Sequence, residues 1–294
     1  MIDSTPGSRA VALILAMVAS ACAGGERGDA ADEMQAEMAA EPQIESREVE
    51  YTADGTVLQG FVAWDASIEG RRPGVLVVHE WWGHNEHARN QARRLAEAGY
   101  VGFALDVYGK DRLATHPDSA NAMMNEVVQA GVIPARFNAA LEQLKQVPQV
   151  DPERIAAIGY CFGGAVVLEM ARAGADLDAV ASFHGALATE NPAEEGAVQA
   201  RVLVLAGADD PLVPPEQVQA FREEMQAADA DFEVITYPGA RHSFTNPDAD
   251  THGMDALAYN AEADRRSWAE LLRMLDEVFS QEQVAARAAT QASR

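Results

Sequence analysis

The chain has 294 residues, 48% of them hydrophobic, and a formal net charge of -24, with an isoelectric point near 4.5. Neutralising nucleic-acid phosphates takes clustered Lys and Arg; Lys110 and Lys145 are the only lysines, so a nucleic-acid partner is excluded. The length suits one sizeable core, no internal repeat is visible, and so acidic a surface keeps a protein soluble and self-repelling; a saline habitat and a genomic bias against lysine account for it equally.

Arg9 precedes the apolar stretch Ala10 to Ala19, followed by Ser20-Ala21-Cys22-Ala23-Gly24-Gly25. Charged, apolar and small-residue regions in that order make residues 1–22 an export signal, too short to span a bilayer. Ala19-Ser20-Ala21-Cys22 resembles the bacterial lipobox, with Ala where leucine is more usual, which implies cleavage before Cys22 and acylation of its thiol. A plain secretory peptide cut nearby is the alternative. The expected location is the periplasm or cell envelope, with membrane contact only through a lipid on Cys22. Once Cys22 is acylated, Cys161 is the remaining thiol and no intrachain disulfide can form. Residues 23–47 are rich in Ala, Gly, Glu and Asp, a composition that cannot offset the entropy of ordering, and read as an acidic tether.

From 48 to 280 the pattern is that of one folded domain. Glu48 to Tyr51 and Val57 to Trp64 gather β-formers around Asp54-Gly55, an antiparallel hairpin. Val75 to Val78 is a buried strand followed by the loop His79-Glu80-Trp81-Trp82-Gly83. Ala88, Ala92 and Leu95 place a helix that Gly99 ends, and Tyr100 to Leu105 is the next strand. The segment Gly109 to Pro134 interrupts the alternation with a helix from about Asp118 to Ala130, and Ala135 to Gln146 forms another. Strands follow at Ala179 to Phe183, Val202 to Leu205 and Phe232 to Tyr237. A helix after Pro214-Pro215 separates the last two, and a closing helix carries Trp268, Leu271, Leu272, Leu275 and Phe279 on one stripe. Residues 281–294 read as a frayed tail. Strands alternating with helices predict a doubly wound, mostly parallel α/β sheet with right-handed crossovers.

The organising stretch is Ile155 to Gly164, where a short apolar run meets a cysteine framed by glycines and a helical pattern follows. This GxCxG sequence has the form of a nucleophile elbow. A side chain held at the tip of a strand-to-helix turn has strained backbone angles, so the residues two places away must be small, and Gly159 and Gly163 meet that need. The helix opening at Phe162 directs free amides and a positive dipole end at Cys161, which favours a thiolate and can hold an oxyanion. A buried structural cysteine between packing glycines is the plainer reading, and the partners downstream decide against it. Asp210 follows the strand Val202 to Leu205 and His242 follows the last strand. A thiol nucleophile needs a base and the base an orienting carboxylate; nucleophile, acid, histidine is the chain order of the α/β-hydrolases.

With these residues in place the chain resembles the dienelactone hydrolase family over about Glu48 to Ser280. The resemblance rests on Gly-Tyr-Cys-Phe-Gly-Gly, Asp-Pro-Leu-Val-Pro, Gly-Ala-Arg-His-Ser-Phe and Val-Val-His-Glu-Trp-Trp-Gly. It implies an α/β-hydrolase fold with Cys161 as nucleophile, Asp210 rather than Asp209 as acid, and His242 as base. It also implies that Glu80 lies beside the resting thiol and that the amides of Trp81 and Phe162 form the oxyanion hole; a surface carboxylate at a strand end is the alternative for Glu80. Arginines that hold a substrate carboxylate in that family are missing here. One position is Asn246, and Pro117 to Ala135 contains no Lys or Arg, so neutral substrates are expected unless Arg112 or Arg241 serves as a clamp.

Other candidates are weaker. His79, His84 and His87 lack the HExxH spacing of a zinc helix, so no metal is expected, nor an organic cofactor. His116 is expected as a loop hydrogen-bonder, and His184, at a strand end on the catalytic edge, as a supporting or pocket residue. Trp81 and Trp82 have core packing as the alternative, but beside an oxyanion hole they read as walls for an apolar or aromatic acyl group. The expected protein is an exported, thiol-dependent hydrolase of small-molecule esters or lactones. Its rivals are a non-catalytic envelope lipoprotein that retains the fold and a redox-sensing thiol, the latter weakened by the lack of a resolving cysteine.

Overall fold

The computed structural model describes residues 41–280. The export signal, Cys22, tether residues 23–40 and the tail 281–294 lie outside them.

Eight strands form one sheet: β1 (Ile44–Ala53), β2 (Thr56–Asp65), β3 (Arg72–Val78), β4 (Val101–Leu105), β5 (Val150–Tyr160), β6 (Ala179–Phe183), β7 (Arg201–Gly207) and β8 (Phe232–Tyr237). Their order is β1-β2-β4-β3-β5-β6-β7-β8. The β1–β2 hairpin and the β2–β4 pair are antiparallel and every other neighbour is parallel, which is the expected doubly wound α/β-hydrolase sheet. The hairpin is longer than the alternation suggests: Ile44 to Arg47, assigned above to the tether, pair with Asp65 to Val62. Glu45 to Glu48 are exposed, so the partner backbone holds them and side-chain burial does not, and composition carries no sign of that.

Helices α1 (Glu86–Glu97), α2 (Pro117–Ala130), α3 (Ile133–Lys145), α4 (Phe162–Arg172), α5 (Pro215–Ala227) and α6 (Ala261–Phe279) cover both faces. Alternation within β3 divides the core. Leu76 and Val78 join α3, α4 and α5 through Phe137, Leu144, Val167 and Phe221, while Val75 and Val77 join α1 and α6 through Ala92, Leu95, Leu271 and Leu275. A satellite cluster gathers Trp82, Ala114, Ala120, Ala249 and Leu257. It ties the loop after β3 to the interrupting segment and to the chain beyond β8.

Sequence signals set the helix ends. Asn85 caps α1 by accepting from the Ala88 amide. His116 caps α2, with Pro117 inside the first turn and Gly131 left-handed at its end, so His116 is the loop hydrogen-bonder expected of it. Arg136, buried on α3, donates to the Asp54 carboxylate at 2.9 and 3.1 Å, to Thr56 Oγ1 at 3.0 Å and to the Val107 carbonyl at 2.6 Å. One side chain thereby fastens the hairpin turn to the carboxyl end of β4, on the edge where the site lies.

Candidate active site

The site is built at the carboxyl ends of the parallel strands, where an open α/β sheet leaves its crevice. Cys161 stands between β5 and α4 at φ 54° and ψ -115°, a conformation costing a non-glycine residue about 1–3 kcal/mol that the surroundings must impose. They impose it by contact. A Cβ at Gly159 would overlap the Gly163 carbonyl oxygen and stand 2.7 Å from the Gly164 nitrogen; one at Gly163 would overlap the Val78 carbonyl oxygen and stand 2.7 Å from that of His79. The first turn of α4 is thus pressed backbone to backbone onto β5 and onto the loop after β3. The Gly164 and Ala165 amides bind the Cys161 carbonyl at 3.0 and 3.2 Å, and the Cys161 amide donates to the Phe183 carbonyl at 3.0 Å.

That packing sets the first turn of α4 against the end of β3 and His79, just ahead of Trp81. The Phe162 amide is the first of its helix and has no partner within it. In the loop after β3 the hydrogen bonds run from Gly83 N to Glu80 O and from Asn85 N to Gly83 O, leaving the Trp81 amide unused there. Tyr108, just past β4, was not singled out from the sequence. Its hydroxyl donates to the Trp81 carbonyl at 3.0 Å and its ring stacks on Phe162 with centroids 5.9 Å apart, so it touches both residues expected to form the oxyanion hole. A tyrosine beyond a strand end on the catalytic edge was the available signal. His79 braces the same loop, its Nδ1 donating to the Glu80 carbonyl and its Nε2 accepting from the Val107 amide at 3.2 Å.

Asp210 and His242 meet as the sequence suggests. Both are buried, and His242 Nδ1 donates to Asp210 Oδ2 at 2.8 Å. Asp210 Oδ1 accepts from the Leu212 amide at 2.8 Å, which fixes the carboxylate, whereas Asp209 is exposed. His242 Nε2 is buried without a formed hydrogen bond. The Cys161 sulfur lies within electrostatic reach of the ring but off full hydrogen-bond geometry. Burial opposes a charge on the imidazole, but the Cys161 sulfur and then the Asp210 carboxylate outweigh it and raise His242 to about 10. A buried donor left unpaired calls for an explanation, and the neighbour that acts on it here is the Cys161 sulfur.

Glu80 is 3% exposed, which removes the surface-carboxylate alternative; its carboxylate accepts from Ser243 Oγ at 2.6 Å and Asn246 Nδ2 at 2.7 Å. Two other expectations change. Trp82 is buried and stacks on His252 at 3.9 Å within the satellite cluster. It is therefore packing rather than a pocket wall, whereas Trp81 is only half-buried. His184 does not line a pocket either: it is 1% exposed and its Nδ1 accepts from the Cys161 amide at 3.1 Å. The suggested clamps are engaged elsewhere, Arg112 bidentately with Glu126 at 2.7 and 2.8 Å and Arg241 with the Asp255 carbonyl at 3.0 Å. Ser243 and Thr245 were missed, because only the folded histidine loop turns them toward Glu80 and His184.

Fold and site together define an α/β-hydrolase. The chain belongs to the dienelactone hydrolase family, whose model matches residues 58–279. A putative carboxymethylenebutenolidase of Yersinia pestis is 30% identical over 243 residues, 78% of this chain and 87% of that protein. Among solved structures, m3DLH is 42% identical with a TM-score of 0.77, over 81% of this chain and 99% of its own. P91, described as a dienelactone hydrolase-like promiscuous phosphotriesterase from metagenomic libraries, is 38% identical with a TM-score of 0.76 and the same coverage.

The raised His242 has a measurable consequence. A folded-state value of about 10 lies above the ordinary 6.5, so the proton on His242 adds stability that is fully present below 6.5 and is lost as pH rises toward about 10. Chemical unfolding across that range should show wild type losing more stability than Cys161→Ala, which lacks the attracting sulfur. Equal losses in the two proteins would contradict the assignment.

Proposed function

We propose that this protein hydrolyses small-molecule carboxylic esters or lactones with Cys161 as nucleophile, His242 as acid and base, and Asp210 as the group that orients it. The observation that carries the reading is the buried His242, bonded through Nδ1 to Asp210 at 2.8 Å, with an unpaired Nε2 beside a cysteine held at φ 54°. The Cys161 sulfur adds to the carbonyl carbon, and the charge that moves onto oxygen is received by the Phe162 and Trp81 amides. As the bond to the alcohol oxygen breaks, His242 Nε2 gives that oxygen its proton and an acyl thioester remains. His242 then takes a proton from water as the water oxygen attacks, and the acid leaves with the sulfur restored. A cysteine suits leaving groups that depart as a stabilised enolate or an activated alkoxide. The rival, a fold retained without chemistry, leaves the strain at Cys161 and the orphaned Nε2 unexplained.

Cys161→Ala should abolish turnover of an activated ester while the circular dichroism spectrum stays that of wild type, since the change removes a sulfur at a turn whose glycines are untouched. Activity within about tenfold of wild type would reject the nucleophile.

The substrate is uncharged in this reading. Glu80 is buried with two neutral donors as partners, Arg112 is paired with Glu126, and Arg241 donates to the Asp255 carbonyl. An anionic substrate would lose the bonds that offset its desolvation. A lactone or ester bearing a free carboxylate should show kcat/KM roughly 10- to 150-fold below that of its neutral ester at fixed salt, the worth of one charge-assisted pair. Preference for the carboxylate would overturn this, and its loss in Arg112→Ala would identify the clamp. A second reading, hydrolysis of neutral phosphotriesters, is favoured by the 38% identity to the P91 structure and by the same pairing of Arg112 and Arg241; it is read in the same assay with a phosphotriester in place of the ester.

A further inference from the structure

His184 is a buried titratable side chain that the proposed reaction does not use. It follows β6 directly and has a left-handed φ of 42°. The next residue explains the placement: a Cβ at Gly185 would overlap Ser182 Oγ and stand 2.7 and 2.8 Å from backbone atoms of Gly164. The end of β6 therefore lies against the first turn of α4, and the His184 ring is held beneath the nucleophile. Its Nδ1 accepts from the Cys161 amide at 3.1 Å. An amide can only donate, so Nδ1 carries no proton; the neutral ring then has its hydrogen on Nε2, which donates to Thr245 Oγ1 at 2.8 Å. The Cys161 amide already has a ladder partner in the Phe183 carbonyl at 3.0 Å, so His184 is not needed to satisfy it. What the ring adds is a link. Thr245 is three residues beyond His242, and the His184 and His242 rings meet edge to face with centroids 5.3 Å apart.

We propose that His184 is a positioning residue. Its neutral ring, accepting from the Cys161 amide and donating to Thr245, sets the nucleophile turn in register with the loop that carries His242. The inference rests on the Cys161 and His242 assignment above. It adds a rigid spacer between two loops that are otherwise far apart in the chain. Burial first, then the charges on His242 and His87, hold His184 well below its ordinary value, in keeping with the single tautomer the two bonds require. A protonated ring would set an N–H against the Cys161 N–H and break the link.

The test compares His184→Ala, His184→Asn and Thr245→Val in steady-state ester hydrolysis and in the NMR titration of the His242 ring. His184→Ala loses both bonds and should lower kcat by roughly 10- to 100-fold with little change in KM. In the same variant the His242 titration should fall from its raised position toward 6.5 as the sulfur and the imidazole lose register. His184→Asn restores an acceptor near the Nδ1 position, and Thr245→Val removes only the far bond. Each should lose about threefold to tenfold in kcat. A purely structural role would lower thermal stability without moving the His242 titration. If His184→Ala does not fold, Thr245→Val decides on its own. Failure of the underlying assignment would appear as turnover by Cys161→Ala. Failure of this inference would appear as an unmoved His242 titration with kcat within about threefold of wild type in the folded His184 and Thr245 variants.

Discussion

At Gly159 and at Gly163 a single added methyl group would run into backbone carbonyl oxygen, that of Gly163 in the first case and that of Val78 in the second. This double contact between α4, β5 and the end of β3 is the constraint on which the rest of the site depends. It forces the turn at Cys161 into its strained conformation and sets the first free amide of α4 beside the loop that holds Trp81. The position of Cys161 is thus a product of close packing among three strands and a helix. The strain is affordable because the neighbouring parts of β3, β5 and β6 are fully buried.

A second layer holds the first in place. His79 links the loop after β3 to the one after β4, Tyr108 joins Trp81 to Phe162, and Glu80 gathers Ser243 and Asn246 from the histidine loop. Each joins two loops that leave different strands at the same edge, so the loops are fastened to one another as well as to the sheet. The electrostatic consequence is a buried carboxylate at Glu80 and a proton held on His242. On the proposed reading, such a site would stabilise charge that develops on a neutral substrate and disfavour charge brought in with an anionic one.

What could be read from the chain follows from how local each signal is. The elbow was legible because its glycines, cysteine and helix start occupy ten consecutive residues, and the parallel strands because they are short apolar runs bounded by turns. Asp210 and His242 were legible from chain order and from their places after strands. The start of β1 was not, since Glu45 to Glu48 are held by backbone pairing alone. Trp82 was misplaced because its partner His252 is 170 positions away in the sequence, and only folding stacks the two rings. The roles of His184 and Tyr108 turn on hydrogen bonds spanning 23 to 61 and 27 positions, which no local pattern records.

The central claim is that the acyl group passes through a thioester on Cys161. Rapid-quench mass spectrometry during turnover of an activated ester measures it directly. The account predicts one acyl mass on the peptide containing Cys161, discharged by neutral hydroxylamine and absent from Cys161→Ala. Turnover at wild-type rate with the acyl group on another residue, such as Ser243, would contradict it.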